Sequence, residues 1–332
     1  MRKRILVIVS AIIAGGLIIY LSGPKPARPK LQHMVVDLPS GLTSLEQQIK
    51  LSESAVVGIK PGCEATIVWA DSLSKSPTEY AFLYLHGGTS SHEEADPIHK
   101  EIAARYDANL YLARLAGHGV DLGPATLASE TADDFVYSAE YALTVAKQLG
   151  KKVIVMGTSF GGALSIWLAS QHPELKAVVL FSPCVKTVDE RMEMFTKPWG
   201  LELIKKVSGA DSFEVPQPYE GYGLYNSTKC NLAFLAQFQN FMTYAMTPET
   251  FDRVKSPVWM GYWYKNDTIQ DDVASVTAML QMFQQLPSET KQKVPFPDAG
   301  NHGIVAPRLA KDVASVKREA IRFLDKVLHD EL

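Results

Sequence analysis

The segment Val153-Ile154-Val155-Met156-Gly157-Thr158-Ser159-Phe160-Gly161 constrains this chain more than any other. An apolar run enters a Gly-Thr-Ser-Phe-Gly pentapeptide, and a helix-like run, Gly162 to Gln171, leaves it. That is strand, sharp turn, helix, with Ser159 at the apex. Such a turn forces its central residue into a strained backbone conformation and lifts the side chain clear of the sheet. Glycine is needed two residues to either side, because a Cβ there collides with the neighbouring strand or helix. Ser159 therefore reads as an attacking nucleophile. The competing reading is a serine that merely caps the helix behind it.

A strand of this kind needs neighbours, and the chain supplies them. Apolar strands are expected at 65–70, 80–85, 109–115, 177–182, 258–264 and 291–296. Helices are expected at 42–54, 97–106, 133–149, 162–171 and 272–286, with a last one carrying Leu309, Val313, Val316, Ala320, Phe323 and Val327 on one stripe. Alternating strands and helices with continuously apolar strands predict an α/β fold: a mostly parallel sheet covered on both faces. The alternation breaks between residues 185 and 255, a stretch rich in Met, Phe, Tyr and Trp, which reads as a cap insertion. The expected organisation is core at 42–184, cap at 185–255 and core again at 256–332.

The N-terminus is different in kind. Arg2, Lys3 and Arg4 precede Ile5 to Leu21, which carries no charge. At about 1.5 Å per residue such a helix can just cross a thin bilayer. It reads as an uncleaved signal-anchor with the body on the exported side; a cleaved signal peptide, leaving a secreted protein, and a buried helix are the alternatives. The Pro-rich stretch after it, within a linker spanning 22–41, reads as stiff and extended. A net charge of −3 gives no sign of a nucleic-acid surface. An exported chain could pair two of Cys63, Cys184 and Cys230 or leave all three free. Neither their spacing nor any run of histidines suggests a metal.

In open α/β sheets the loops beyond the carboxyl ends of the strands gather at one edge. A serine there needs a base, and the base needs an acid to orient it. His302, in the glycine-flanked loop Ala299-Gly300-Asn301-His302-Gly303, is the expected base. Asp267, in the first turn after the 258–264 strand, is the expected acid. Asp271 and Asp272 are expected to cap the following helix, and Asp298, close to His302 in the same loop, is left as a second candidate. Two backbone donors are needed for the oxyanion. Phe160 N–H is one, and Gly88, in His86-Gly87-Gly88-Thr89, is the expected other, with Thr89 as the alternative. His86 and His118 read as structural.

Taken together, His86-Gly87-Gly88, Arg114-Leu-Ala-Gly117-His118-Gly119, Gly157-Thr-Ser159-Phe-Gly161, Asp267 and Gly300-Asn301-His302 resemble the α/β-hydrolase superfamily. More narrowly, they resemble its monoacylglycerol-lipase-like and lysophospholipase-like serine hydrolases. The resemblance implies the α/β-hydrolase fold with 185–255 over the active site, and hydrolysis of a small-molecule or lipid ester. It also implies a Ser159–Asp267–His302 triad and no cofactor. The cap's Met and aromatic content suits a pocket for an acyl chain or gives the cap its own core. The same triad on an amide, thioester or carbon–carbon bond, and a non-catalytic binding module on this fold, are the rival readings.

Overall fold

The computed structural model describes residues 2–33 and 36–329. Residues 1, 34, 35 and 330–332, which the division above includes, lie outside the described residues. Seven strands form one sheet: β1 (Thr66–Val68), β2 (Thr78–Leu85), β3 (Asn109–Leu112), β4 (Gly150–Thr158), β5 (Ala177–Phe181), β6 (Val258–Tyr262) and β7 (Lys291–Pro295). Their spatial order is β1-β3-β2-β4-β5-β6-β7. Only the edge pair β1/β3 is antiparallel; the other five pairings are parallel. This is the expected α/β-hydrolase architecture.

The strands alternate their side chains between two apolar layers, as a period of two demands. Leu83, Val155, Leu180 and Met260 face a layer built on helices α2 (Leu42–Ser54), α4 (Ala132–Leu149) and α5 (Phe160–Gln171). Phe82, Ile154, Val179 and Trp259 face a second layer, closed by α3 (Ile98–Ala104) and α10 (Val313–His329). With both faces covered, β4 and β5 are buried along nearly their whole length, which is why they read as unbroken apolar runs. Local signals set the helix starts. Thr131 and Asp134 form a reciprocal capping box at α4, and Asn231 and Ser275 cap α7 (Leu232–Ala245) and α9 (Val276–Gln285).

Between β5 and β6 the chain leaves the sheet. This excursion holds α6 (Gly200–Ser208), a short hairpin of Ser212–Glu214 with Lys229–Asn231, α7 and the one-turn α8 (Pro248–Phe251). Its phenylalanines pack inward. Phe234, Phe238 and Phe241 meet Phe135 and Phe160 of the core, and Phe195 and Leu232 centre a small cluster of their own. The Met and Phe content thus glues the excursion to the sheet rather than opening an acyl-chain pocket.

Helix α1 (Arg2–Leu21) is long and apolar enough to cross a membrane, and its side chains from Lys3 to Leu21 are exposed. The segment after it is docked, not free. Trp199 donates its indole N–H to Ile19 O and its amide to Pro24 O. Asn240 donates to Ala27 O, and the amides of Lys30 and Leu31 donate to the Asp133 carboxylate at the start of α4. All three cysteines are buried and free.

Candidate active site

Ser159 sits between β4 and α5 with φ 51° and ψ −113°, a conformation that costs on the order of 1–3 kcal/mol for a residue bearing a Cβ. Its hydroxyl makes no capping bond to α5, which excludes the capping reading. The flanking glycines behave as the turn requires. A Cβ on Gly161 would run into the carbonyl of Leu85, and one on Gly157 into Ser165 Oγ and the Gly161 carbonyl. The apex is pinned from β5: Ser159 N–H donates to Phe181 O (3.0 Å), and Cys184 N–H donates to Ser159 O (2.9 Å).

His302 reaches the same cavity from the loop after β7. Gly300, at φ +67°, supplies the turn that only glycine adopts freely, and Asn301 Oδ1 accepts from Gly303 N–H. The Nδ1 of His302 lies 2.6 Å from Asp271 Oδ2, a charge-assisted bond with the carboxylate fully buried. Its Nε2 is buried and has no hydrogen-bond partner among the described residues. An imidazole held at Nδ1 and bare at Nε2 is set to exchange a proton through Nε2. Such contacts are commonly loose before substrate arrives. Burial disfavours the imidazolium, but the Asp271 charge and hydrogen bond outweigh it, so the His302 pKa is raised above its ordinary value.

The carboxylate that meets His302 is therefore Asp271, not the expected Asp267. The chain after β6 does not turn directly into a helix. It folds into a hairpin, Tyr264–Asn266 with Ile269–Gln270, and Asp267 stands exposed at its tip, bonded to Tyr264 OH. Asp271 follows the hairpin. Its Oδ1 accepts from the amides of Val273 and Ala274, which leaves Oδ2 for the imidazole. The capping role expected of Asp271 and Asp272 falls to Ser275, four residues later than Asp271. The loop is fixed by the chain entering the excursion: Val188 donates to Val273 O, and Ser275 donates to Lys186 O.

The loop after β2 approaches from the other side. A Cβ on Gly88 would lie 3.7 Å from the Cβ of Phe160, so the two expected oxyanion donors are neighbours. Phe160 N–H is the first amide of α5 and has no acceptor within its helix. His86 is structural, as expected: its Nδ1 donates to Gly87 O, its Nε2 accepts from Leu115 N–H, and burial holds its pKa far below the ordinary value. His118 is likewise buried against Phe135, Phe160 and Phe234, with its pKa pushed down to about 4.

Glu94 was not legible in the sequence. From the 3₁₀ turn after the loop it accepts from Gly87 N–H (2.7 Å) and Tyr84 OH (2.9 Å), and Tyr84 also bonds Thr158 beside Ser159. It ties the oxyanion loop to the strand ends. Burial raises its pKa against the pull of these donors. Two Glu in a run of polar residues gave no signal of this.

Ser159, His302, Gly88 and Glu94 all line a cavity of about 390 Å³. The excursion closes it with Val215, Pro216, Pro218, Tyr219, Tyr222 and Asn226. Arg308, from the loop before α10, also lines it and stacks over Tyr219 and Tyr225. Of the cap's Met and aromatic residues, Tyr219 and Tyr222 line this cavity, whereas Phe234, Phe238 and Phe241 pack into the core.

The model of the Alpha/beta hydrolase family matches residues 82–314. The chain belongs to that family. A thermostable monoacylglycerol lipase from Bacillus sp. (strain H-257) is 31% identical over 103 residues, which is 31% of this chain and 40% of that lipase. Among solved structures, the metagenome-derived lipolytic enzymes LipS and LipT are represented by one at TM-score 0.63 and 18% identity, covering 81% of this chain and 99% of that one. A soluble variant of the monoglyceride lipase of Saccharomyces cerevisiae, bound to a substrate analog, superposes at TM-score 0.55 and 15% identity, over 92% of this chain and 97% of that chain.

Proposed function

We propose that this protein is a serine hydrolase of carboxylic esters, held at a membrane by α1. The observation that carries the reading is the strained Ser159 sharing one cavity with an imidazole whose far nitrogen is fixed by Asp271. In this reading His302 Nε2 takes the Ser159 proton as Oγ attacks the ester carbonyl. The oxyanion rests on Phe160 N–H and Gly88 N–H, each donor worth about 2.7–4 kcal/mol in the transition state. The imidazolium, stabilised by Asp271, returns the proton to the leaving alcohol. Water then attacks the acyl-enzyme with His302 again as base, and the acid departs.

The reading assigns a small to medium ester. A cavity of about 390 Å³ stands near the lower end of the roughly 300–1,000 Å³ range of ligand sites. Its polar wall of Glu94, Asn226 and Arg308 suits a hydroxylated or otherwise polar portion beside the ester. The lipolytic activities of the similar proteins agree with an acyl ester. A fluorophosphonate probe should label the wild type and leave Ser159→Ala unlabelled; equal labelling would overturn the assignment. A chain-length series of monoacyl esters should then peak at short to medium acyl groups.

A further inference from the structure

The fold brings together three metal-ligating side chains that lie far apart in sequence. Glu140 projects from α4, His172 ends α5, and His33 belongs to the docked segment after α1. Glu140 Oε2 lies 3.1 Å from His33 Nδ1 and 3.0 Å from His172 Nε2, and the three ligand atoms all fall within 4.8 Å of one another. The two rings meet edge to face with centroids 4.8 Å apart.

We propose that His33, Glu140 and His172 form a Zn²⁺ site that staples the membrane-proximal segment to α4. Two imidazoles and one carboxylate are a ligand set that suits zinc, at about 2.0–2.2 Å from each ligand atom. Ligand atoms around a tetrahedral ion at that distance stand about 3.3 Å apart, close to the two spacings already present. The adjustment falls on His33, whose side chain is half exposed, whereas the Glu140 and His172 side chains are buried. The exposed side also leaves room for water as a fourth ligand.

The surroundings fit as well. Glu174 Oε1 lies 3.2 Å from His172 Nδ1, on the side away from the site. A metal-bound imidazole typically donates its other N–H to such a carboxylate, which fixes the tautomer and raises ligand basicity. Lys147 Nζ lies 2.7 Å from the same Glu174 oxygen and 3.2 Å from His172 Nδ1, so this outer nitrogen is framed by both side chains. Without metal, the Glu140 carboxylate accepts from both imidazoles. With it, each imidazole presents a lone pair to the cation and carries its proton on the other nitrogen. Residue spacing gave no hint of this site, because His33 and His172 meet only after α4 and α5 have packed.

The test uses the full chain in detergent, stripped with chelator and titrated with Zn²⁺ by calorimetry, with Co²⁺ absorption as a second probe. One Zn²⁺ should bind per chain and raise Tm, as for any ligand selective for the folded state. His33→Ala changes a half-exposed ligand and leaves the core intact. It should abolish the Tm rise and weaken Zn²⁺ binding by more than about 100-fold. Glu174→Gln should weaken it by about 10–100-fold, the scale of outer-shell partners. Absence of stoichiometric binding at micromolar Zn²⁺, or equal binding by His33→Ala, overturns the proposal.

Discussion

The turn bearing Ser159 and the loop bearing Asp271 serve one site and are built on opposite principles. The turn is over-determined locally. Two glycines, a buried strand and a helix start within fifteen residues leave Ser159 one place to be, at φ 51°. The acid loop is determined from afar. Asp271 aims at His302 because the 264–270 hairpin displaces it along the chain and because Lys186 and Val273 are tied to partners across the loop. Steric exclusion by neighbouring residues leaves a mark in the sequence. A carboxylate aimed by distant backbone does not, and Asp267 and Asp271 look alike until the hairpin is seen.

That contrast can be broken at several points. Ser159→Ala should lower kcat by about 10⁶-fold, the scale seen when a triad nucleophile is removed, with an unchanged melting profile. Gly161→Ala should destabilise by at least about 1–3 kcal/mol in chemical denaturation, because the new Cβ meets backbone that cannot yield. Exposed Asp272→Ala in the acid loop should stay within about 0.5 kcal/mol of wild type. A Gly161→Ala protein as stable as Asp272→Ala would remove the steric account of the turn. Glu94→Gln should lower kcat about 10-fold, short of the roughly 100-fold that a 1 Å misplacement costs, since the amide keeps one acceptor for Gly87 N–H. The smallest effect concerns pH. His302 acts as base only when neutral, and its pKa is raised. The acid limb of kcat/KM should therefore lie above about 6.5, the ordinary histidine value, with activity lost as pH falls through it. A limb below that value would mean that the Asp271 charge does not reach the imidazole.

Much of the fold was legible because it is periodic. The buried strands stand out as unbroken apolar runs and the helices behind them as stripes of period 3.6, and their edges moved by only a few residues. Helix α9, expected from Asp272, is found from Val276, where Ser275 takes the cap and frees Asp271, and α10 starts at Val313, leaving Leu309 in a turn before it. The roles of Phe234, Phe238 and Phe241 were not legible. A buried phenylalanine looks the same in sequence whether it lines a ligand or seals an interface, and here three of them seal one. The docked segment after α1 escaped for a related reason. Its bonds run from backbone amides to Asp133 and from Trp199 and Asn240 to backbone carbonyls, and backbone partners carry no residue code.

The central claim is that one chemical unit joins Ser159, His302 and Asp271. Its most direct test is the kcat/KM of Asp271→Asn beside Asp267→Asn on the same ester. The account predicts a loss of about 10⁴-fold for Asp271→Asn, the cost of presenting the wrong imidazole tautomer, and a change within about two-fold for the exposed Asp267→Asn. A large loss for Asp267→Asn with a near-normal Asp271→Asn would contradict it.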